Sequence, residues 1–266
     1  MLVKANLNAN RQKRSGKRVQ RMLSYVRRAV DDYNMINEGD KIAVGVSGGK
    51  DSMMLLSALS ALRRFYPKSF EIVAITLDPQ FKGVETDYSE IEQYCKEQNI
   101  EYHIKRTEIG SIIFDVREEK NPCSLCARMR RGALHDASLE YGCSKIALGH
   151  HYNDVVETFL MNLFLEGRVG CFSPVTYLSR KDIYMIRPLI YIPENEIETA
   201  VKRIGLPVVK SVCPADKVTK RQETKDLLSL AEIKYPGITE RVFGALVRLG
   251  IDGWQKGSVK GKNDDT

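Results

Sequence analysis

No run of eighteen apolar residues occurs in this 266-residue chain, and no apolar stretch follows a charged N-terminus. Neither a membrane span nor a secretory signal is expected, and a cytoplasmic setting is. Internal repeats and low-complexity tracts are missing too, so nothing of that kind calls for a separate domain. Cysteine occurs six times but forms a single C-x-x-C pair, whereas a zinc ribbon needs two. Acidic residues are the scarcer charge: 34 Asp and Glu face 41 Lys and Arg, for a formal net charge of +7. That balance favours a polyanionic partner. Between Arg11 and Arg28 there is no acid at all, and eight basic residues, among them Arg14, Lys17, Arg18 and Arg21, alternate with Met22, Leu23, Tyr25 and Val26. Such a segment can lie along a phosphate backbone or serve as a solvated basic helix.

The most informative stretch is K-I-A-V-G-V-S-G-G-K-D-S, Lys41 to Ser52. An apolar strand pattern runs into two glycines, a lysine, an aspartate and a serine, and a helical pattern follows. Gly48 and Gly49 tolerate positive φ and let backbone N–H groups approach an anion, to which the opening helix adds its positive end. Ser47 and Ser52 add hydroxyls, and Lys50 adds a charge. A Walker A loop would need glycine where Val44 stands and a hydroxyl residue where Asp51 stands, so a kinase or GTPase loop is not supported. S-G-G-K-D-S instead resembles the pyrophosphatase loop of the N-type ATP pyrophosphatases, which cleave ATP between its α and β phosphates.

Apolar runs at Ile42–Val46, Ile72–Leu77, Tyr102–Lys105, Ile146–Gly149 and Ile183–Ile186 predict strands, and helical patterns predict helices near Glu194–Ile204, Lys220–Ile233 and Ile238–Leu249. Strands alternating with helices predict an α/β fold, an open parallel sheet covered on both faces that binds ligands beyond the carboxyl ends of its strands. Ser47, Asp78 and His150 fall at such ends. The expected organisation is a basic arm and helix over 1–36, a nucleotide-binding domain over 37–205, and a helical extension over 206–266.

Without an export signal, the cysteines are expected to be thiols, metal ligands or redox groups. Cys123 and Cys126 can turn toward one metal or cluster, and Cys213, on a loop stiffened by Pro214, is the candidate for a third ligand. Cys143 or Cys171 can also fill that place, although these two and Cys95 read better as helix or core residues. Three protein thiolates on a 4Fe-4S cluster leave one iron open to an exogenous sulfide, unlike the four-cysteine ligation usual in electron transfer. Lys120, Arg128, Arg130 and Arg131 flank the pair and are suited to RNA phosphates or to a solvated helix face. After the strand at Ile146, G-H-H-Y-N-D-V-V-E-T-F-L sets His150 and His151 at a tip, Asp154 in the first helical turn and Glu157 on the same face. Asp154 can share a Mg²⁺ with ATP phosphates or complement the helix dipole.

Taken in order, S-G-G-K-D-S, P-C-S-L-C, G-H-H-Y-N-D-V-V-E-T-F-L and R-P-L resemble the tRNA 2-thiocytidine synthetase branch of the pyrophosphatase-loop tRNA-thiolating enzymes, over roughly Asp40 to Lys225. Two positions depart from the branch pattern: Asn153 stands where an acid is common, and Lys210 where a second C-x-x-C begins. The resemblance implies an adenine nucleotide alpha-hydrolase-like (HUP-type) fold and an ATP-dependent tRNA thiolase. Ser47, Gly48, Gly49, Lys50, Asp51 and Ser52 would bind the β and γ phosphates, backbone near Leu77 and Asp78 would face the adenine, and His150 and Asp154 would border the α-phosphate. Asp51 and Asp154 would hold Mg²⁺, and Cys123, Cys126 and Cys213 the 4Fe-4S cluster. Implied partners are tRNA and a sulfur donor, either a cysteine desulfurase or inorganic sulfide, and a homodimer is compatible. Two other readings stay open: a lysidine-synthetase-like ligase acting on cytidine, and a metal-stabilised RNA-binding module with a degenerate ATP loop.

Overall fold

The computed structural model describes residues 20–116, 122–210, 212–213 and 220–257. Arg14, Lys17, Arg18 and Lys120 therefore lie outside the described residues. Six strands form one sheet: β1 (Asp40–Gly45), β2 (Phe70–Asp78), β3 (Glu101–Arg106), β4 (Lys145–Ala147), β5 (Val175–Leu178) and β6 (Ile183–Ile186), in the order β3-β2-β1-β4-β6-β5. All neighbours pair in parallel except β5 and β6.

Strand periodicity sends alternate residues to opposite faces. Ile42, Val44, Ile72 and Ala74 enter one core, and Ala43, Val73, Ile75 and Leu77 enter the other. The first core is filled by helix α1 (20–32), α2 (Lys50–Leu62), α6 (Tyr152–Leu165) and α7 (Glu194–Ile204). The second is roofed by α5 (Pro122–Glu140) through Leu134 and Ala137, while α3 (Ser89–Glu97) and the short α4 (Ile109–Ser111) carry the chain between strands. The expected sheet, covered on both faces, is the one observed.

One strand is new. V-T-Y-L at β5 is a four-residue edge strand, partly exposed along its whole length, so it carries neither the long apolar run of a central strand nor a clean alternation.

Chain order runs outward from β1 in both directions, through β2 and β3 on one side and β4 and β6 on the other. The switch point lies between β1 and β4, where a crevice opens beyond the strand ends. α2 starts at the end of β1 and α6 after the end of β4. Helices α8 (Lys220–Lys234) and α9 (Ile238–Leu249) pack against α6. Trp254, fully buried, donates its indole N–H to the Phe172 carbonyl at 2.9 Å and accepts the Tyr33 hydroxyl on its own carbonyl at 3.2 Å, so the C-terminal region returns to α1.

The phosphate-turn geometry depends on glycine at one point above all. Gly48 has φ +83°, and a Cβ there would lie 3.0 Å from the Val209 Cβ, whose N–H donates to the Gly48 carbonyl at 3.0 Å. Gly48→Ala is expected to lower the unfolding free energy in urea by more than Gly39→Ala, where φ is +76° and no atom lies within 4 Å. Left-handed strain alone costs about 1–2 kcal/mol. Equal losses at the two positions would show that the Val209 contact contributes nothing.

Candidate active site

The turn is closed by its own hydroxyls. The Ser52 Oγ donates to the Gly49 carbonyl at 2.9 Å and accepts the Ser47 N–H at 3.2 Å, and the Ser47 Oγ accepts the Gly49 N–H at 3.4 Å. Gly49, in extended conformation, caps α2, so the unsatisfied N–H groups of a largely buried helix open toward the crevice.

Beside the turn lies a cavity of about 460 Å³. Ser47, Asp51 and Ser52 line it from the turn, His150 and Asp154 from the end of β4 and the start of α6, and Leu77 from β2. α5, the helix that begins at the cysteine pair, contributes Ala127, Arg130, Arg131 and His135. Of the residues expected around the nucleotide, Gly48, Gly49, Lys50 and Asp78 are not among those lining the cavity, and the Asp78 side chain is held in the loop after β2. Its carboxylate accepts the N–H groups of Gln80 and Thr86, both at 3.1 Å, and its carbonyl accepts the Thr107 N–H at 2.8 Å. It organises the loop after β2.

A network of charges surrounds the turn. The Lys50 Nζ lies 3.1 Å from Asp51 and 3.0 Å from the Glu194 Oε1, and the Glu194 Oε2 lies 2.6 Å from the Lys225 Nζ. Burial works against the Lys50 charge, but the two carboxylates outweigh it and raise its pKa. Burial also opposes ionisation of Glu194, yet hydrogen bonds from Lys225 and Lys50 hold its pKa down to about 2.

His151 caps α6: its Nδ1 accepts the Asp154 N–H at 3.4 Å, and the Asp154 Oδ2 accepts the His151 N–H at 2.9 Å. The accepting Nδ1 puts the imidazole proton on Nε2, 3.5 Å from Asp154 and 3.8 Å from Asp51. The second Asp154 oxygen, Oδ1, accepts from the Arg221 Nη1 at 2.6 Å. Burial, followed by the Arg187 charge, pushes the His150 pKa down to about 3, so this imidazole is neutral. Burial pushes the Glu157 carboxyl up to about 7.

Arg221, Glu194, Lys225 and His151 were not assigned to the site from sequence. The available signal was the spacing of Arg221 and Lys225 in K-R-Q-E-T-K, four apart and hence on one helix face.

The thiols divide into two groups. Cys95, Cys143 and Cys171 are buried, and burial raises their pKa values to about 12, 11 and 12. Cys123 is exposed, and Cys126 and Cys213 are partly so. Burial raises the Cys126 pKa, Arg130 lowers it, and the Cys213 and Cys123 thiols each add a smaller upward push. Among the described residues, no three His, Cys, Asp or Glu side chains stand close enough together to hold a metal ion. Of the basic residues considered for RNA, Arg130 and Arg131 face the cavity, Arg128 is exposed, and Arg21 is paired with Glu196. Among the described residues no helix is long and apolar enough to cross a membrane.

A family model described as the PP-loop domain matches residues 17–223. A protein of Syntrophotalea carbinolica named tRNA-cytidine(32) 2-sulfurtransferase is 38% identical over 222 residues, which cover 82% of this chain and 85% of that one. A protein of the same name from Geobacter metallireducens is 39% identical over 241 residues, covering 88% and 91%. Among solved structures, the U34-tRNA thiolase NcsA of Methanococcus maripaludis, with its [4Fe-4S] cluster, is similar with a TM-score of 0.73 and 28% identity, covering 88% of this chain and 79% of that one.

The division of the thiols has a direct chemical readout. In metal-free protein, iodoacetamide is expected to modify Cys123, Cys126 and Cys213 first, and Cys95, Cys143 and Cys171 only after denaturation, as followed by peptide mass spectrometry. Early modification of any of the last three would contradict the packing described.

Proposed function

We propose that this chain, which belongs to the PP-loop domain family and within it to the group of the tRNA-cytidine(32) 2-sulfurtransferases, is an ATP-dependent thiolase that replaces the C2 oxygen of a tRNA cytidine with sulfur. The relatives' printed name points to cytidine 32. One observation carries the reading: the helix that starts at Cys123 and Cys126 supplies Ala127, Arg130 and Arg131 to the cavity that the phosphate turn lines with Ser47 and Asp51.

The C2 oxygen is a poor leaving group, so it is first activated. It attacks the α-phosphorus of ATP, an O–P bond forms, the bond to the bridging oxygen breaks, and pyrophosphate leaves with the electron pair. Ser47, Gly48, Gly49, Ser52 and the α2 N-terminus bind the departing phosphates through N–H and hydroxyl groups. Lys50, braced by Asp51 and Glu194, adds positive charge there. Leu77 lines the apolar part of the cavity and packs the adenine. Neutral His150 borders the α-phosphate.

Asp51 faces the cavity and fits the one or two carboxylates that Mg²⁺ takes beside phosphates. Asp154 comes second as a ligand, because both its oxygens already accept hydrogen bonds. Cys123, Cys126 and Cys213 suit a 4Fe-4S cluster by donor type and by being the three thiols that are not buried. With three protein thiolates such a cluster supplies an iron open to exogenous sulfide. Displacement of AMP from C2 by sulfide is redox-neutral. Arg128, Arg130 and Arg131 hold RNA phosphates beside the cavity, and Arg21 is a further candidate once released from Glu196. A sulfur donor completes the set of partners, in a cytoplasmic setting and with a homodimer compatible. A lysine-ligating reading leaves the cysteine pair without a role.

Anaerobic incubation with iron, sulfide, ATP and unmodified tRNA, followed by nucleoside mass spectrometry, is expected to yield 2-thiocytidine. Cys123→Ser is expected to lower the yield at least about 100-fold while ATP affinity stays within about twofold, a loss of the order found when one essential catalytic group is removed. Undiminished thiolation by this variant, or ATP binding by the wild type with no thiolation, would contradict the reading.

A further inference from the structure

We propose that Arg221 is a catalytic residue of the adenylation step: delivered by the C-terminal helix α8, its guanidinium meets the α-phosphoryl group and takes up the negative charge that builds there. The inference rests on the ATP-dependent reading given above and assigns a group that the phosphate turn does not provide.

Arg221 lines the cavity together with Ser47, Asp51, His150 and Asp154, although it comes from a helix outside the sheet. Its Nη1 donates to the Asp154 Oδ1 at 2.6 Å, and its Nη2 donates to the Thr158 Oγ1 at 3.3 Å. Both acceptors sit on α6, one turn apart, so the guanidinium is held at two points of a rigid helix. These bonds use two of the five N–H donors that a guanidinium carries in one plane.

Asp154 is fully engaged in this arrangement. Its Oδ2 closes the α6 cap by accepting the His151 N–H, and its Oδ1 holds Arg221. At this end of the cavity the carboxylate therefore presents a cation. Lys50 does not serve here, because its ammonium is spanned between Asp51 and Glu194 and it is not among the lining residues. Arg130 and Arg131 also line the cavity, from α5. Among the described residues, Arg221 is the one of these three arginines with a carboxylate anchor.

The chemistry requires such a group. When the C2 oxygen bonds to the α-phosphorus and pyrophosphate leaves, charge grows on the non-bridging α-oxygens, a different place from the departing phosphates that the turn is proposed to hold. A pre-positioned planar donor costs no reorganisation when that charge appears. Contacts made mainly in the transition state raise kcat and leave ground-state affinity nearly unchanged.

The test measures ATP affinity by calorimetry and single-turnover AMP formation with tRNA in the full-length, cluster-loaded protein. Arg221→Gln is expected to lower the rate of AMP formation about 100-fold, the scale for loss of one transition-state donor, with the ATP Kd changed less than threefold. Arg221→Lys, which keeps a cation on the helix, is expected to lose about tenfold at unchanged Kd, and is read in the same way if the glutamine variant does not fold. Leu228→Ala loosens the packing of the same helix from its buried side without touching the cavity, and is expected to retain the wild-type rate below its melting temperature. Wild-type rates in both Arg221 variants, a Kd that rises by as much as the rate falls, or an equal loss in Leu228→Ala would each overturn the assignment. A wild-type protein that forms no AMP would instead overturn the ATP-dependent reading on which the inference stands.

Discussion

The end of β4 meets the first turn of α2 so closely that any side chain there would have to push backbone aside, and the rest of the site depends on that contact. A Cβ at Gly149, just past β4, would lie 3.1 Å from the Asp51 backbone in the first turn of α2. The phosphate turn after β1 and the His150–Asp154 segment after β4 are thereby pressed into one crevice at the switch point of the sheet. Backbone N–H groups of one helix and the capped start of another then face the same space. Neither element alone forms the site: in the proposed reaction the turn takes the departing phosphates, and the β4 end the bond to be broken.

Charge is arranged around that contact in alternation. Asp51, Glu194, Asp154 and Glu157 surround the turn, and Lys50, Lys225 and Arg221 are interleaved among them. Asp51 and Glu194 raise the Lys50 pKa against burial, Glu194 does the same for Lys225, and the two lysines in turn hold the Glu194 carboxyl down. A polyphosphate entering the crevice meets cations whose positions are already set, so little side-chain ordering remains to oppose binding. The C-terminal helices enter this network through Arg221 and Lys225, so the extension builds part of the site as well as part of the core.

Much of this was legible in the sequence, for identifiable reasons. The phosphate turn declares itself because glycine, lysine and serine must occupy consecutive positions there, and the central strands because burial on both faces demands unbroken apolar runs. The buried thiols of Cys95, Cys143 and Cys171 follow from their apolar settings. What stayed hidden are partnerships across the fold. Arg221 lies 67 residues from Asp154, and Lys50 lies 144 from Glu194, and no local pattern marks either pair. The Asp78 carboxylate is held by loop N–H groups eight residues along the chain or nearer, a side-chain role that its place at a strand end does not reveal. The edge strand β5 carries too little apolar contrast to be seen.

The central claim is that the phosphate crevice activates the same carbonyl that later receives sulfur. Unmodified tRNA carrying ¹⁸O at C2 of the target cytidine tests it most directly, with AMP, pyrophosphate and water analysed after one turnover. The account expects the label in AMP, in amounts matching the 2-thiocytidine formed. Unlabelled AMP, with the ¹⁸O in water or pyrophosphate, would contradict it.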